Sequence, residues 1–146
     1  MQPENEPFNF VYVSGVGTTT EPTRFSAFWA KIKGETELAL ADIRKTNPLM
    51  HTSSVRTGLG SDVHHDSIKP YIPNRPYYEK FLRATEPVFH ALTPSLLTPT
   101  EHYGKFLTEV AIGRYQDQSR ASKGIQMVGD MPILENSAFR RLAGLS

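Results

Sequence analysis

An α/β fold built on parallel strands is what this sequence predicts, on three observations. Phe8-Asn9-Phe10-Val11-Tyr12-Val13 is aromatic, β-branched and apolar at nearly every position, as a parallel strand covered on both faces would be. A Gly/Thr loop, Ser14–Thr20, leads from it into a long segment in which Phe25, Phe28, Trp29, Ile32, Ala39, Leu40 and Ile43 recur at helical spacing. A second β-prone run, Leu49–Arg56, follows and ends at Thr57-Gly58-Leu59-Gly60. Strand, helix and strand over this distance imply a right-handed parallel crossover. Ligands of such sheets bind at the carboxyl ends of the strands, here Ser14–Thr20.

The elements follow in order. Residues 1–7 form a polar, Pro-bearing lead-in. After the first strand, Thr18-Thr19-Thr20-Glu21-Pro22 offers a hydroxyl cap and a Pro for the first turn, so a helix is expected from about Pro22 to Arg44, stopped by Asn47-Pro48. Gly34 inside it costs roughly 1 kcal/mol against Ala, and is read as a point where the helix approaches the sheet closely. Ser61–Arg75, with Pro70 and Pro73, is a long polar loop starting at a strand's carboxyl end. Pro76–Ala91 reads as a helix kinked at Pro87. Thr98-Pro99-Thr100-Glu101 matches a capping box, opening a helix with Tyr103, Phe106, Leu107, Val110 and Ala111 on one face and ending near Gly113. Residues 115–123 are linker, Ile125–Val128 a short edge strand, and Asn136–Ala143 a last helix capped by Asn136 or Ser137, with Gly144 just past it.

Composition narrows the function. The 146 residues suit a single domain spanning 1–146, and 38% apolar residues allow a modest core. Sixteen basic against fifteen acidic residues leave +1, with no basic cluster interleaved with aromatics, so no nucleic-acid partner is expected. With no cysteine there is no disulfide scaffold, thiol nucleophile or Cys-based zinc site. The N-terminus is polar and acidic and no apolar run reaches the ~18 residues of a membrane span. A cytoplasmic protein is expected.

Phe10-Val11-Tyr12-Val13-Ser14-Gly15, followed by Phe28-Trp29-Ala30-Lys31-Ile32-Lys33-Gly34-Glu35-Thr36-Glu37, resembles the atypical short-chain dehydrogenases, the epimerase-like NAD(P)-binding proteins. In that family a strand ends in Ser, the next helix carries a Tyr and, four residues on, a Lys, and a further strand ends in an Arg-Pro-Gly-like turn beside the nicotinamide. The resemblance puts Ser14 at the serine, Lys33 at the lysine and Arg56-Thr57-Gly58 at the turn. Leu134-Glu135-Asn136 and Phe139-Arg140-Arg141-Leu142-Ala143 look like the family's C-terminal segment and helix. It implies catalytic roles for Ser14 and Lys33, cofactor contacts from Ser14, Gly15, Lys33, Arg56, Thr57 and Gly58, NAD or NADP as cofactor, and a small-molecule substrate. It also implies a partial Rossmann-type fold, because the N-terminal dinucleotide-binding half has no counterpart here. Trp29 stands where the family's Tyr should be, and Thr57 replaces the turn's Pro. An indole N–H has no acid–base capacity near neutral pH, so the Tyr–Lys mechanism does not carry over.

Each signal has a plainer reading beside it. Trp29 and Lys33 share a helix face; Lys33 reaches either a cofactor ribose or solvent. Gly15-Val16-Gly17 lacks a third glycine, since Thr20 stands there, and reads as a flexible βα loop before it reads as a dinucleotide fingerprint. Ser14 lacks the paired base a nucleophile needs. His64-His65-Asp66 is a polar surface loop sooner than a metal site. Tyr77, Tyr78, Phe81 and Phe89 suit a substrate pocket or a core. The expectation is an NAD(P)-binding, oxidoreductase- or epimerase-like chain of weak or no activity alone, because no glycine turn offers the pyrophosphate a helix N-terminus. The alternative is a non-enzymatic interaction module that pairs with another chain through an exposed sheet edge.

Overall fold

A computed structural model describes residues 6–61, 65–72, 84, 93–115 and 122–145. In chain order these form β1 (Phe8–Gly15), α1 (Phe28–Thr46), β2 (Met50–Thr57) and β3 (Leu59–Ser61), then β4 (Leu97–Pro99) and α2 (Thr100–Ala111), and finally β5 (Ile125–Val128), β6 (Met131–Leu134) and α3 (Asn136–Leu142). Short 3-10 helices cover Asp66–Tyr71 and Pro94–Leu96. Apart from residue 84, which is helical, the expected helix over 76–91 lies outside the described residues.

The fold is mixed α/β with a mostly parallel sheet, in the order β1-β2-β6-β5. β1 and β2 are parallel and in register from Phe8 opposite Met50 to Gly15 opposite Thr57. β6 lies parallel on the other side of β2, with Ser54 opposite Ile133, and β5 folds back antiparallel onto β6 through the Gly129-Asp130 turn. The crossover expected between the first two strands is present. The second sheet, β3 parallel to β4, and the strand β6 were not legible as strands: β3 and β4 are three residues each, and β6 is four residues long with Pro132 inside it.

Side chains alternate across the sheet, so each face has its own core. On one face Val11 and Val55 pack with Phe106 and Tyr103 of α2 and Phe139 of α3. The rings of Phe106 and Phe139 lie 5.1 Å apart, and Tyr103 stands edge-on to Phe139 at 5.4 Å, a geometry favoured by the aromatic quadrupole. On the other face Phe10, Tyr12 and Ile133 meet Leu40 of α1.

α1 departs most from expectation. It starts at Phe28, not near Pro22. The segment before it is held in a turn instead, where the Thr23 amide donates to Ser26 Oγ at 2.9 Å and the Ser26 amide to the Thr23 carbonyl at 3.1 Å. Its buried face is also rotated from the expected one, and of the apolar residues expected there only Leu40 is buried. Ala30, Gly34, Glu37 and Leu40 are buried, while Phe28, Trp29 and Ile32 are 79%, 50% and 46% exposed. The cause lies in β2. Its side chains facing α1 are Thr52, Ser54 and Arg56, so the helix–sheet contact is polar and hydrogen-bonded, and apolar periodicity reads the wrong face.

Gly34 does serve a close approach, but to the β1–α1 loop and not to the sheet. A Cβ there would sit 1.8 Å from the Thr19 carbonyl oxygen. The capping box at Thr98 does not form. Pro99 precedes the helix, no side chain caps it, and the Thr98 hydroxyl is bonded elsewhere. α3 likewise has no side-chain cap, and Asn136 is its first residue; Gly144, at φ 71, ends it as expected. β1 is less enclosed than its apolar run suggests, with Phe8 and Val13 exposed at the outer edge.

Candidate functional site at the carboxyl ends of β1 and β2

The sequence-selected residues converge on one end of the sheet, then divide between its two faces. Ser14 and Arg56 are register partners, as are Gly15 and Thr57. Alternation sends the first pair toward α1 and the second toward α2.

On the α1 face, polar groups are consumed by structure. Ser14 is buried and its hydroxyl shares a 3.0 Å hydrogen bond with Thr18. Arg56 is 5% exposed and Glu37 0%. Arg56 donates to both Glu37 oxygens, from Nε at 3.1 Å and Nη2 at 2.6 Å, while Ser54 Oγ donates to Glu37 Oε1 at 2.8 Å. Its remaining nitrogen, Nη1, donates to Glu135 Oε1 at 2.8 Å and Gln126 Oε1 at 3.4 Å. Burial pulls the Arg56 pKa down, but the two carboxylates outweigh it and hold it raised. One guanidinium thus ties α1 to β2, β5 and the residue before α3. An open groove of about 770 Å³ runs alongside, lined by Thr18, Thr19, Thr20, Arg56, Gln126 and Val128 among others.

On the other face, Lys33 comes over the strand tips. Its ammonium nitrogen lies 3.6 Å from where a Cβ of Gly15 would be. It makes no hydrogen bond or ion pair among the described residues. Trp29, one turn earlier, lies against Gly17 (φ 89): a Cβ there would sit 3.0 Å from the indole. The loop Val16–Ala27 separates β1 from α1, so Gly15-Val16-Gly17 does not make the tight strand-to-helix turn of a dinucleotide fingerprint.

Thr57 and Gly58 enter a hydroxyl and amide network that the sequence did not announce. The Thr57 hydroxyl and the Gly58 amide both donate to Thr98 Oγ1, at 3.2 and 2.8 Å. Thr98 donates to Asn136 Oδ1 at 2.7 Å, and Asn136 Nδ2 donates to the Ser95 carbonyl at 2.6 Å. A Cβ on Gly58 would lie 2.0 Å from the Leu96 carbonyl oxygen, so glycine is required there. Tyr103 rises from α2 toward the same strand end. Its hydroxyl is shut off from solvent, lies beside Thr57 without hydrogen-bond geometry, and has no hydrogen-bond partner. Burial raises its pKa, with Thr57 acting against the rise, so the phenol keeps its proton.

The structure therefore brings Gly15, Lys33, Thr57 and Gly58 together and sets Ser14 and Arg56 apart behind the sheet. Neither tip presents a base to Ser14 among the described residues. His65 Nδ1 shares a 3.1 Å hydrogen bond with Thr100, and Asp66 pairs with Lys69 at 2.5 Å, so these two potential ligands are bonded within the protein; His64, Tyr77, Tyr78, Phe81 and Phe89 lie outside the described residues. No described helix is long and apolar enough to cross a membrane. Sequence reasoning missed Glu37, Thr98 and Tyr103. Glu37 alone left a trace, as the last residue of the Phe28–Glu37 stretch that carries the resemblance.

The chain is similar to Botcinic acid biosynthesis cluster B protein 16 of Botryotinia fuckeliana (strain B05.10), with 34% identity over 143 residues covering 95% of this chain and 88% of that one. No family model matches the chain, and no solved structure does.

Proposed function

The chain belongs to the family of Botcinic acid biosynthesis cluster B protein 16, and we propose that it is an NAD(P)-binding protein of oxidoreductase- or epimerase-like type. It corresponds in this reading to the C-terminal half of a Rossmann-type domain. Its nucleotide site is the carboxyl end of β1 and β2, with Lys33 donating to the ribose and Gly15, Thr57 and Gly58 forming the wall. The observation that carries this is the Lys33 ammonium, brought over a parallel strand pair to within contact of Gly15. That is where open parallel sheets take their ligands. The relative's name, with its biosynthesis cluster, favours a small biosynthetic molecule as substrate.

Binding is weak for this chain alone. Among the described residues no glycine turn delivers a helix N-terminus to a pyrophosphate, and Arg56 is committed to Glu37 and Glu135. Amide-resolved NMR titration with NAD⁺ and NADP⁺ tests this. Millimolar affinity with shifts centred on Gly15, Thr57 and Gly58 is expected. Absence of shifts there at saturating nucleotide refutes the site, and micromolar affinity refutes the weak-binding part.

The second reading is an interaction module. β1 is an edge strand with Phe8 and Val13 exposed, and the adjoining α1 turns Phe28, Trp29 and Ile32 outward. Free strand edges invite pairing with another chain, and exposed apolar patches mark contact surfaces. Sedimentation velocity across a concentration series separates the two: a monomer throughout disfavours self-pairing, and hydride transfer with NADPH and a panel of carbonyl compounds favours the first reading.

A further inference from the structure

Three buried side-chain polar atoms among the described residues have no hydrogen-bond partner, His51 Nδ1, Thr93 Oγ1 and the Tyr103 hydroxyl; the one beside Thr57, at the strand ends, is the Tyr103 hydroxyl. It is buried and bonded to nothing, although a buried donor left without an acceptor is costly and rare. Its surroundings are otherwise well satisfied. Thr57, beside it, donates to Thr98 Oγ1, and Thr98 donates in turn to Asn136.

Its position gives it meaning. Tyr103 packs on the face that holds Val11 and Val55. Gly15 and Thr57 lie an even number of residues further along the same strands and so point to the same face. The Tyr103 hydroxyl is beside Thr57. The Lys33 ammonium is on the Cβ side of Gly15, the register partner of Thr57. Adjacent strands are about 4.8 Å apart, so two donors without partners flank one register pair from α1 and α2. Both carry protons and neither has an acceptor among the described residues, so what is missing between them is an oxygen with lone pairs.

We propose that Tyr103 is a ligand-binding residue of the strand-end site, its hydroxyl and the Lys33 ammonium donating together to one acceptor oxygen of the bound molecule. The oxygen belongs either to the nucleotide or to a carbonyl co-substrate. This rests on the strand-end reading above and adds to it a residue on a different helix. For the ligand to reach the hydroxyl, the contact that closes it from solvent opens on binding.

The test uses wild-type protein carrying ¹³Cζ-tyrosine, titrated with NADP⁺ and separately with 4-nitrobenzaldehyde, while the Gly15 amide is followed in the same samples. A Tyr103 Cζ shift with one of the two probes is expected, and which probe causes it identifies the source of the oxygen. The shift should be lost in Lys33→Met. If the Gly15 amide moves and Tyr103 does not, the strand-end site stands and the role of Tyr103 is overturned; if neither moves, both fall. Tyr103→Phe provides a second arm. Removing an unbonded hydroxyl should raise the melting temperature without ligand and weaken probe binding about tenfold. A lowered melting temperature would show that the hydroxyl is bonded within the fold, and would overturn the proposal.

Discussion

The two faces of the sheet end in opposite ways at the β1–β2 tips. Toward α1, Ser14, Ser54, Glu37 and Arg56 are all bonded within the protein. Toward α2, Lys33 and Tyr103 come to the strand ends and have no partner among the described residues. Neighbours in sequence, Ser14 and Gly15 or Arg56 and Thr57, fall on different sides of this division. A motif spanning both faces therefore mixes residues bonded within the fold with residues that have no partner among the described residues. Separating the two sets is the first use of the structure.

The largest effect should come from breaking the satisfied face. Removing one partner of a buried ion pair leaves the other charge uncompensated and costs about 3–5 kcal/mol. Glu37→Ala should lose stability of that order in urea denaturation, since Glu37 is 0% exposed and holds Arg56 at two oxygens. The double variant Glu37→Leu with Arg56→Met should recover most of the loss, because apolar replacement of a whole buried pair is often neutral. A loss for Glu37→Ala no larger than an exposed pair gives, ~1 kcal/mol or less, would mean that water reaches the network.

Next in size are the two glycines that admit backbone oxygens. Gly34→Ala and Gly58→Ala put a methyl 1.8 Å from Thr19 O and 2.0 Å from Leu96 O. Overpacking of this kind costs about 1–3 kcal/mol. The two variants should differ in consequence. Gly34→Ala displaces the loop on the bonded face, whereas Gly58→Ala distorts the wall next to Lys33 and should also weaken nucleotide binding. Equal binding in both would erase the distinction drawn between the faces.

How far the sequence foretold this follows the same division. The parallel β1–α1–β2 crossover was legible because β1 is β-prone and the glycine and proline breaks are clear. The core face of α2, with Tyr103, Phe106 and Leu107, was legible because its packing is apolar. The face of α1 was misread for the converse reason: its contact with β2 is made by Glu37, Thr52, Ser54 and Arg56, and hydrophobic periodicity carries no record of a hydrogen-bonded interface. Lys33 was singled out through its spacing and the resemblance, and the structure places its ammonium at the strand ends. Tyr103 was placed in the core and not at the site, since only tertiary structure brings the end of α2 to Thr57. Thr98 was assigned to a cap, which its real partners, Gly58 and Asn136, displace.

A smaller effect is expected from Lys33 itself. With no partner among the described residues, its replacement by Met should change stability by no more than about 0.5 kcal/mol, as for surface positions generally, while abolishing the nucleotide-induced shift at Gly15. A large loss of stability would move Lys33 into the structural class and leave the open face with Tyr103 alone.

The smallest effect calibrates the comparison at a third polar cluster, away from the strand tips. Tyr115 donates a short hydrogen bond to Glu109, which Arg114 also contacts at 2.5 Å. The Tyr115 bond is the main cause holding the Glu109 carboxyl below its ordinary value of 4.5, while burial and then Glu109 push the Tyr115 phenol up to about 12. Glu109 has a depressed folded pKa, so its contribution is present above its unfolded value and is lost as pH falls through the lower folded one. Tyr115 is raised, so its contribution is complete below its unfolded value of 10.0 and disappears as pH rises through about 12. The difference in melting temperature between wild type and Tyr115→Phe should therefore be flat across neutral pH and shrink toward both extremes. The cluster lies at the surface, with the Arg114 side chain 62% exposed, and salt screens it more than the interior, so the difference should be small and fall further in high salt, unlike that of Glu37→Ala. A salt-insensitive difference, or one that grows with acid, would show that bonded polar groups at the surface and in the interior of this fold cannot be told apart by this measurement.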